Sequence, residues 1–279
     1  MRQNMINAIL AAVLASASGV AAAATYSFAT QPSASPSDPQ GVVAAGFVSN
    51  TEYSSITYKG TDASTVKVEA FANTASNGVN SNRGVVESAY LTYWGDHGLG
   101  VTSREVTVNG TLNDEISSGA AKTGNGQHAF DNAGAVEMLL FSFNDLFNVD
   151  SLNVGWSTND ADMTLYAYTG STPFSALSGQ TYTTLVGSSN WTKVTAARNG
   201  AVTGSQTVNT VDAQGKVIYS NYWLVTPGAT DGYSDYIKLA GLGGTFKPTP
   251  APSVPEPASL ALVGTALAGM MFVRRRRQA

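Results

Sequence analysis

Two short clusters of acidic and amide side chains hold the densest potential for chemistry in this sequence. Asp131-Asn132 lies in NGQHAFDNAG, and Asn159, Asp160 and Asp162 lie in STNDADM just ahead of an apolar run. Hard oxygen donors at alternating positions suit Ca²⁺, because that ion gathers about 6–8 oxygens at once. Asp131, Asn132, Asp160 and Asp162 are therefore candidate calcium ligands. The spacing does not complete an EF-hand loop, since a Gly at its sixth position and a Glu at its twelfth are both missing. Asx residues also build turns without any metal, so both readings stand.

Other chemistry is thinner. The histidines are His97, in YWGDHGLGV, and His128. A hydrolase triad built on either would need a G-x-S-x-G elbow, and GWSTN begins like one but lacks the final Gly. GNGQHA, 124–129, formally matches G-x-G-x-x-A, yet Phe130-Asp131-Asn132 follows it instead of a periodic helix, so a loop is expected. Glu87, Asp96 and Glu137 could serve a polysaccharide hydrolase or lyase only if two of them faced each other across a cleft. With no cysteine in the chain, thiol catalysis, disulfides and Cys-based zinc sites are excluded. Trp94, Trp156, Trp191 and Trp223, with the 12 tyrosines, could offer flat faces to a sugar, core packing being the alternative for each.

The elements that must position these residues read as strands. Charged residues are 12% of the chain, against roughly 25% in ordinary globular proteins, while 43% is hydrophobic and 28 residues are Gly. Period-two or short apolar runs recur: TVKVEAFA (65–72), REVTVNG (104–110), EMLLFSF (137–143), SLNVGWS (151–157), MTLYAYTG (163–170), TYTTLVG (181–187), KVIYSNYWLVTPG (216–228) and DYIKLAGL (235–242). β-Branched and aromatic residues dominate them. In SLNVGWS, alternation puts Leu152, Val154 and Trp156 on one apolar face. ISSGAAKT and PFSALSG could each supply a turn of helix. The expected fold is all-β: one antiparallel β-sandwich of jelly-roll type over 41–245, flanked by an N-terminal signal helix and a short C-terminal transmembrane helix.

The ends carry addresses. Arg2, an apolar run from Ile6 to Val20, and small residues Ala22 and Ala24 before Thr25 form a secretory signal peptide, residues 1–24, cut after Ala24. Residues 25–40, with Pro32, Pro36 and Pro39 among serines, read as an extended lead-in. A Pro-rich linker follows the body over 246–254. Ala258 to Val273 is apolar and as a helix rises about 24 Å, just short of a hydrocarbon core of about 30 Å. Arg274, Arg275, Arg276 and Arg277 would hold its C-terminal end on the cytoplasmic side. Without Arg2, Glu256 and these four arginines, the formal charge moves from −4 to −8, ten cations against eighteen anions. No basic stripe remains for nucleic acid.

Val254-Pro255-Glu256-Pro257, the apolar run and the Arg cluster over 254–279 together resemble the PEP-CTERM sorting signal of Gram-negative, exopolysaccharide-producing bacteria. That resemblance implies export by the Sec translocon, an inner-membrane intermediate, and removal of the tail by exosortase, which delivers the body to the cell surface or extracellular matrix. GDHGLGVTS, GQHAFDNAGAVEMLLFSF and VGWSTNDADMTLYAYTG resemble the exosortase-dependent surface protein group called XDP1, through Gly98 to Gly100, His128, Asp131, Asn132, Trp156, Asp160 and Asp162. The expected function is that of a non-enzymatic surface or biofilm-matrix protein associated with exopolysaccharide. A calcium-assisted carbohydrate-binding module or adhesin is the alternative, and a secreted polysaccharide-active enzyme ranks third.

Overall fold

The computed structural model describes residues 21–29, 52–75, 84–106, 112–114, 129–132, 135–196, 202–228 and 235–249. The expected signal helix, His128, ISSGAAKT, the sorting motif Val254–Pro257, the apolar run and Arg274–Arg277 lie outside the described residues. Within them the chain is all-β, and every strand ladder is antiparallel.

Fifteen strands follow in order among the described residues: β1 (Ala23–Ser27), β2 (Glu52–Tyr53), β3 (Ser55–Lys59), β4 (Thr65–Ala75), β5 (Val85–Tyr93), β6 (Leu99–Thr102), β7 (Arg104–Val106), β8 (Leu112–Asp114), β9 (Phe130–Asp131), β10 (Glu137–Asn159), β11 (Met163–Tyr168), β12 (Trp191–Ala196), β13 (Gly204–Thr207), β14 (Ser220–Pro227) and β15 (Asp235–Phe246). A 3₁₀ turn, Gly95–His97, joins β5 to β6, and helix α1 (Tyr182–Gly187) precedes β12.

β10 organises the rest. EMLLFSF and SLNVGWS, read from sequence as two strands, are one 23-residue strand. Its first part, Glu137–Phe143, pairs with β4 on one side, and Leu139–Ser142 pairs with β14 on the other. The exposed Asn144, Asp145 and Leu146 mark a bend, after which Phe147–Asn159 pairs with β15 and Ser151–Val154 also with β13. β4, β5, β6, β15 and β10 close a ring of pairings, completed by the bridge between Leu239 and Leu99.

In its first part β10 is buried on both faces. Leu139, Phe141 and Phe143 point into the main core with Phe28, Tyr58, Val225 and Trp223. Met138 and Leu140 point the other way, into a second cluster with Leu185 of α1, Trp191 and Leu224. Fully burying one such large apolar side chain stabilises by about 1.5–3 kcal/mol. The indole N–H of Trp223 donates to the Phe147 carbonyl at 2.9 Å, so the bulkiest core residue leaves no unmet donor.

Three sequence expectations change. TYTTLVG forms the helix α1 and not a strand, because the Thr181 hydroxyl accepts from the Thr184 amide at 3.1 Å and caps the first turn. PFSALSG holds no helix. The lead-in expected from residue 25 begins instead as strand: β1 pairs with β15, and the Ala24, Tyr26, Phe28 alternation is buried, with Tyr26 edge-on to Phe143 and Phe147.

Trp156 is a fourth correction. Val154 lies opposite Leu239, but Trp156 lies opposite Lys238, the preceding residue of β15. Gly155 is thus an extra, bulged residue, and neighbouring residues of a strand face opposite sides. Val154 therefore enters the core, and Trp156 is turned to the other face, partly exposed.

Candidate functional site

The acidic and amide residues singled out in the sequence do meet. Asn159, at φ 61°, turns the chain out of β10, and the Asp160 amide bonds back to the Thr158 carbonyl at 2.9 Å. Asp160 then bridges to Asp235, the first residue of β15, while Asp131 of β9 pairs with Tyr236. Asp131, Asn132, Asp160 and Asp162 are so gathered around Asp235, which is fully buried. Sequence reading missed Asp235 and Gly228, because each gains meaning only from strands far away along the chain.

Hydrogen bonds knot the junction. Asn132 donates from Nδ2 to the Asp235 carboxylate at 2.7 Å, and its Oδ1 accepts from the Asp235 amide at 2.8 Å. The other Asp235 oxygen accepts from the Asp162 amide at 3.1 Å, and Asn132 also reaches the Gly228 carbonyl. The Gly228 amide donates to the Asp162 carbonyl at 2.6 Å. A Cβ at Gly228 would stand 2.4 Å from that of Asp162, so only glycine fits there. Asp160 accepts from the Ala161 amide at 2.8 Å, and Glu137 from the Asp131 amide at 3.1 Å. Among the described residues no three His, Cys, Asp or Glu side chains are placed to hold one metal ion. The work visible here is charge-assisted hydrogen bonding that ties β9, β15 and the end of β10 together.

The carboxylates considered for glycoside chemistry are arranged in a way that spacing could not reveal. Glu137 and Glu87 both lie opposite Ala72, one on each side of β4. Neighbouring strands are about 4.8 Å apart, so the two backbones stand roughly 10 Å from each other with side chains on one face. Glu87 accepts from the Thr74 hydroxyl at 2.7 Å. Glu137 is 1% exposed, which closes it to a polymeric substrate. Asp96 stands apart from the pair, exposed in the 3₁₀ turn beside the exposed His97.

On the outer face of β10 and β15 a cation is held between two indoles. Lys238 Nζ lies 3.7 Å from the ring centre of Trp94 and 4.7 Å from that of Trp156. The lysine is 7% exposed, and burial pulls its amine down to about 8 from the ordinary 10.5. Two glycines permit the stack. Gly98, at φ 87°, has room for no Cβ, which would sit 2.1 Å from the Leu239 carbonyl oxygen. A Cβ on Gly155 would meet the His97 carbonyl oxygen at 2.4 Å. The 3₁₀ turn can thus lie flat on the sheet and lay Trp94 over Lys238. Trp191 and Trp223 are core residues.

At the expected signal-cleavage point, Ala22 is exposed and its carbonyl accepts from the Phe246 amide at 2.9 Å. Ala24 is 2% exposed opposite Gly244, and Thr25 pairs with Gly243. The Ala24–Thr25 bond therefore lies inside β1. The strand pairing places the start of the body beside its end, where Lys247 leads from β15 toward the tail.

No curated protein and no solved structure matches this chain. A family model does match its end: the PEP-CTERM protein-sorting motif, over residues 253–277. That span, roughly the last tenth of the chain, contains Val254, Pro255, Glu256 and Pro257 as well as Arg274 to Arg277. This chain is therefore an exported protein bearing a PEP-CTERM protein-sorting motif, a substrate that exosortase sorts.

Proposed function

We propose that the protein is a non-enzymatic component of the cell surface or extracellular matrix, with a β-sandwich body of the XDP1 kind. The Sec translocon exports it, the signal peptide is removed at Thr25, and the apolar run 258–273 holds it briefly in the inner membrane. Exosortase then removes the tail and leaves the body in the exopolysaccharide or biofilm layer. The sorting motif at 253–277 carries this reading. It begins seven residues after Phe246, where the last strand ends, so a short linker would hold a completed fold close to the membrane during processing.

The non-enzymatic part rests on how the acidic groups are spent. Asp131, Asp160, Asp162 and Asp235 are all buried at the junction, and Glu137 is sealed beneath it. The carboxylates of Asp160, Asp235 and Glu137 accept from backbone amides, and that of Asp235 also from Asn132, so these three act as structural ties.

Mass spectrometry of surface material from an exosortase-positive strain tests the processing. The expected product is the body without residues 258–279, and a Pro255→Ala, Glu256→Ala variant is expected to keep its tail. Recovery of the intact Arg tail from the unaltered chain at the cell surface would overturn the reading. Assay of the purified body against the host's own polysaccharide tests the rest: any catalytic depolymerisation refutes the non-enzymatic assignment.

A further inference from the structure

We propose that a pocket between the end of β11 and the start of β14 is a saccharide-binding site that takes one or two neutral pyranose units. The pocket encloses about 390 Å³, within the roughly 300–1,000 Å³ of small-ligand sites. Tyr168, Phe174, Tyr219 and Tyr222 supply its rings, and Thr172 and Asn221 supply neutral polar groups. Leu146, at the bend of β10, adds an apolar rim and is 37% exposed.

The rings are held in advance. Phe174 lies 4.4 Å from Tyr222, and Tyr168 is edge-on to Phe174, Tyr222 and the buried Trp191 beneath. The Tyr168 hydroxyl donates to the Thr172 carbonyl at 2.8 Å, which fixes the loop over the strand end. The loop is held further by the Thr169 and Gly170 amides, which both donate to the Asn190 carbonyl, at 2.8 and 3.1 Å. Asn221 spends its Nδ2 on the carbonyls of Phe143 and Asn144, at 3.2 and 3.0 Å. Its Oδ1 is so fixed as an acceptor. Rigid aromatic groups lose little entropy on binding, and a site ordered beforehand avoids the cost of arranging itself.

The lining chooses the ligand class. Among the described residues no Asp, Glu, Lys, Arg or His lines the pocket, so none of them is there to recognise a phosphate, a carboxylate or an amine. A wholly apolar ligand would strip water from Asn221, Thr172 and the tyrosine hydroxyls and return no hydrogen bonds. An extended peptide cannot add a strand here: β11 lies between β14 and β12, and β14 between β10 and β11. A pyranose has what remains, a face of C–H groups to lie on a ring and a rim of hydroxyls for neutral donors and acceptors. Contact this small gives millimolar-range affinity for one site and gains strength by repetition along a polymer.

The test uses the full chain in detergent and a panel of neutral tetrasaccharides of glucose, galactose, mannose and N-acetylglucosamine, followed by saturation-transfer NMR and calorimetry. Binding of at least one of them is expected, with Tyr219→Ala weakening it at least tenfold and Tyr219→Phe largely keeping it. Tyr219 makes no ring contact among the described residues, so its loss leaves the aromatic cluster standing. Tyr90→Ala, on a separate groove of the β3–β5 sheet, is expected to leave binding unchanged. Absence of binding across the panel, or binding indifferent to Tyr219→Ala, overturns the proposal. A proline-rich peptide that binds while no sugar does overturns it in favour of peptide recognition. None of these results depends on whether the tail is cleaved.

Discussion

Lys238 stands directly across the β10–β15 ladder from Trp156, with its ammonium 4.7 Å from the indole centre and a second indole, Trp94, closer still on the other side. Desolvation opposes the charge and the two ring faces attract it.

The first prediction concerns pH. Lys238 has a folded value of about 8, below its unfolded value of 10.5. Between these values the unfolded chain binds more protons, so stability rises with pH across about 8–10.5. The full penalty is present below pH 8, and the gain amounts to at most about 3 kcal/mol. Above about pH 10 the trend reverses, because burial raises Tyr26 to about 12 and raises Tyr58 and Tyr166 as well, so the unfolded chain ionises first. Urea unfolding is therefore expected to show a stability maximum near pH 10. Lys238→Met should flatten the rise, and a rise that persists in that variant would assign it to another group.

The Asp235–Asn132 knot is expected to dominate local stability. Asn132→Ala leaves a buried carboxylate short of a donor and should cost about 2–4 kcal/mol. Asp235→Ala should cost a similar amount, and the double variant much less than the sum, because both remove the same bonds. Chemical denaturation of the four proteins measures this coupling. Strict additivity would show that the two residues act separately.

Two glycines three residues apart should respond differently. Gly98→Ala meets the Leu239 carbonyl oxygen at 2.1 Å and a φ of 87°, and is expected to cost about 3 kcal/mol or more. Gly95→Ala faces open space at φ 58° and should cost about 1–2 kcal/mol. Thermal unfolding separates them, and Trp fluorescence should shift in Gly98→Ala alone as Trp94 leaves Lys238.

Signal removal should precede folding of the body. The Ala24–Thr25 bond lies within β1, so a precursor refolded before exposure to signal peptidase is expected to resist cleavage that the unfolded precursor undergoes. Equal cleavage of both would show that β1 detaches readily. Tyr26→Ala, which empties a site beside the stacked rings of Phe143 and Phe147, should lower stability by about 3–5 kcal/mol.

Much of this molecule was legible along the chain. Alternating β-branched and aromatic runs point to antiparallel strands because side chains alternate faces, and a proline motif, apolar run and arginine cluster in order define the sorting signal at the tail. These are local signals, which neighbouring residues suffice to carry. TYTTLVG escaped because a single cap at Thr181 outweighed the β preference of its threonines. Trp156 escaped because one bulged residue, Gly155, inverted the alternation behind it.

The convergence of Asp131, Asn132, Asp160 and Asp162 could be suspected from residue types, but its centre, Asp235, is separated from Asn132 by 103 positions. The placing of Glu87 and Glu137 about Ala72, and the ring-lined pocket under Leu146, likewise arise from strand register. The sequence by itself determined the class of the fold and the address of the protein, since periodicity and a contiguous motif are properties of neighbours. Which residues meet was decided only by the tertiary structure, because register and bulges depend on pairing between strands that chain order does not specify.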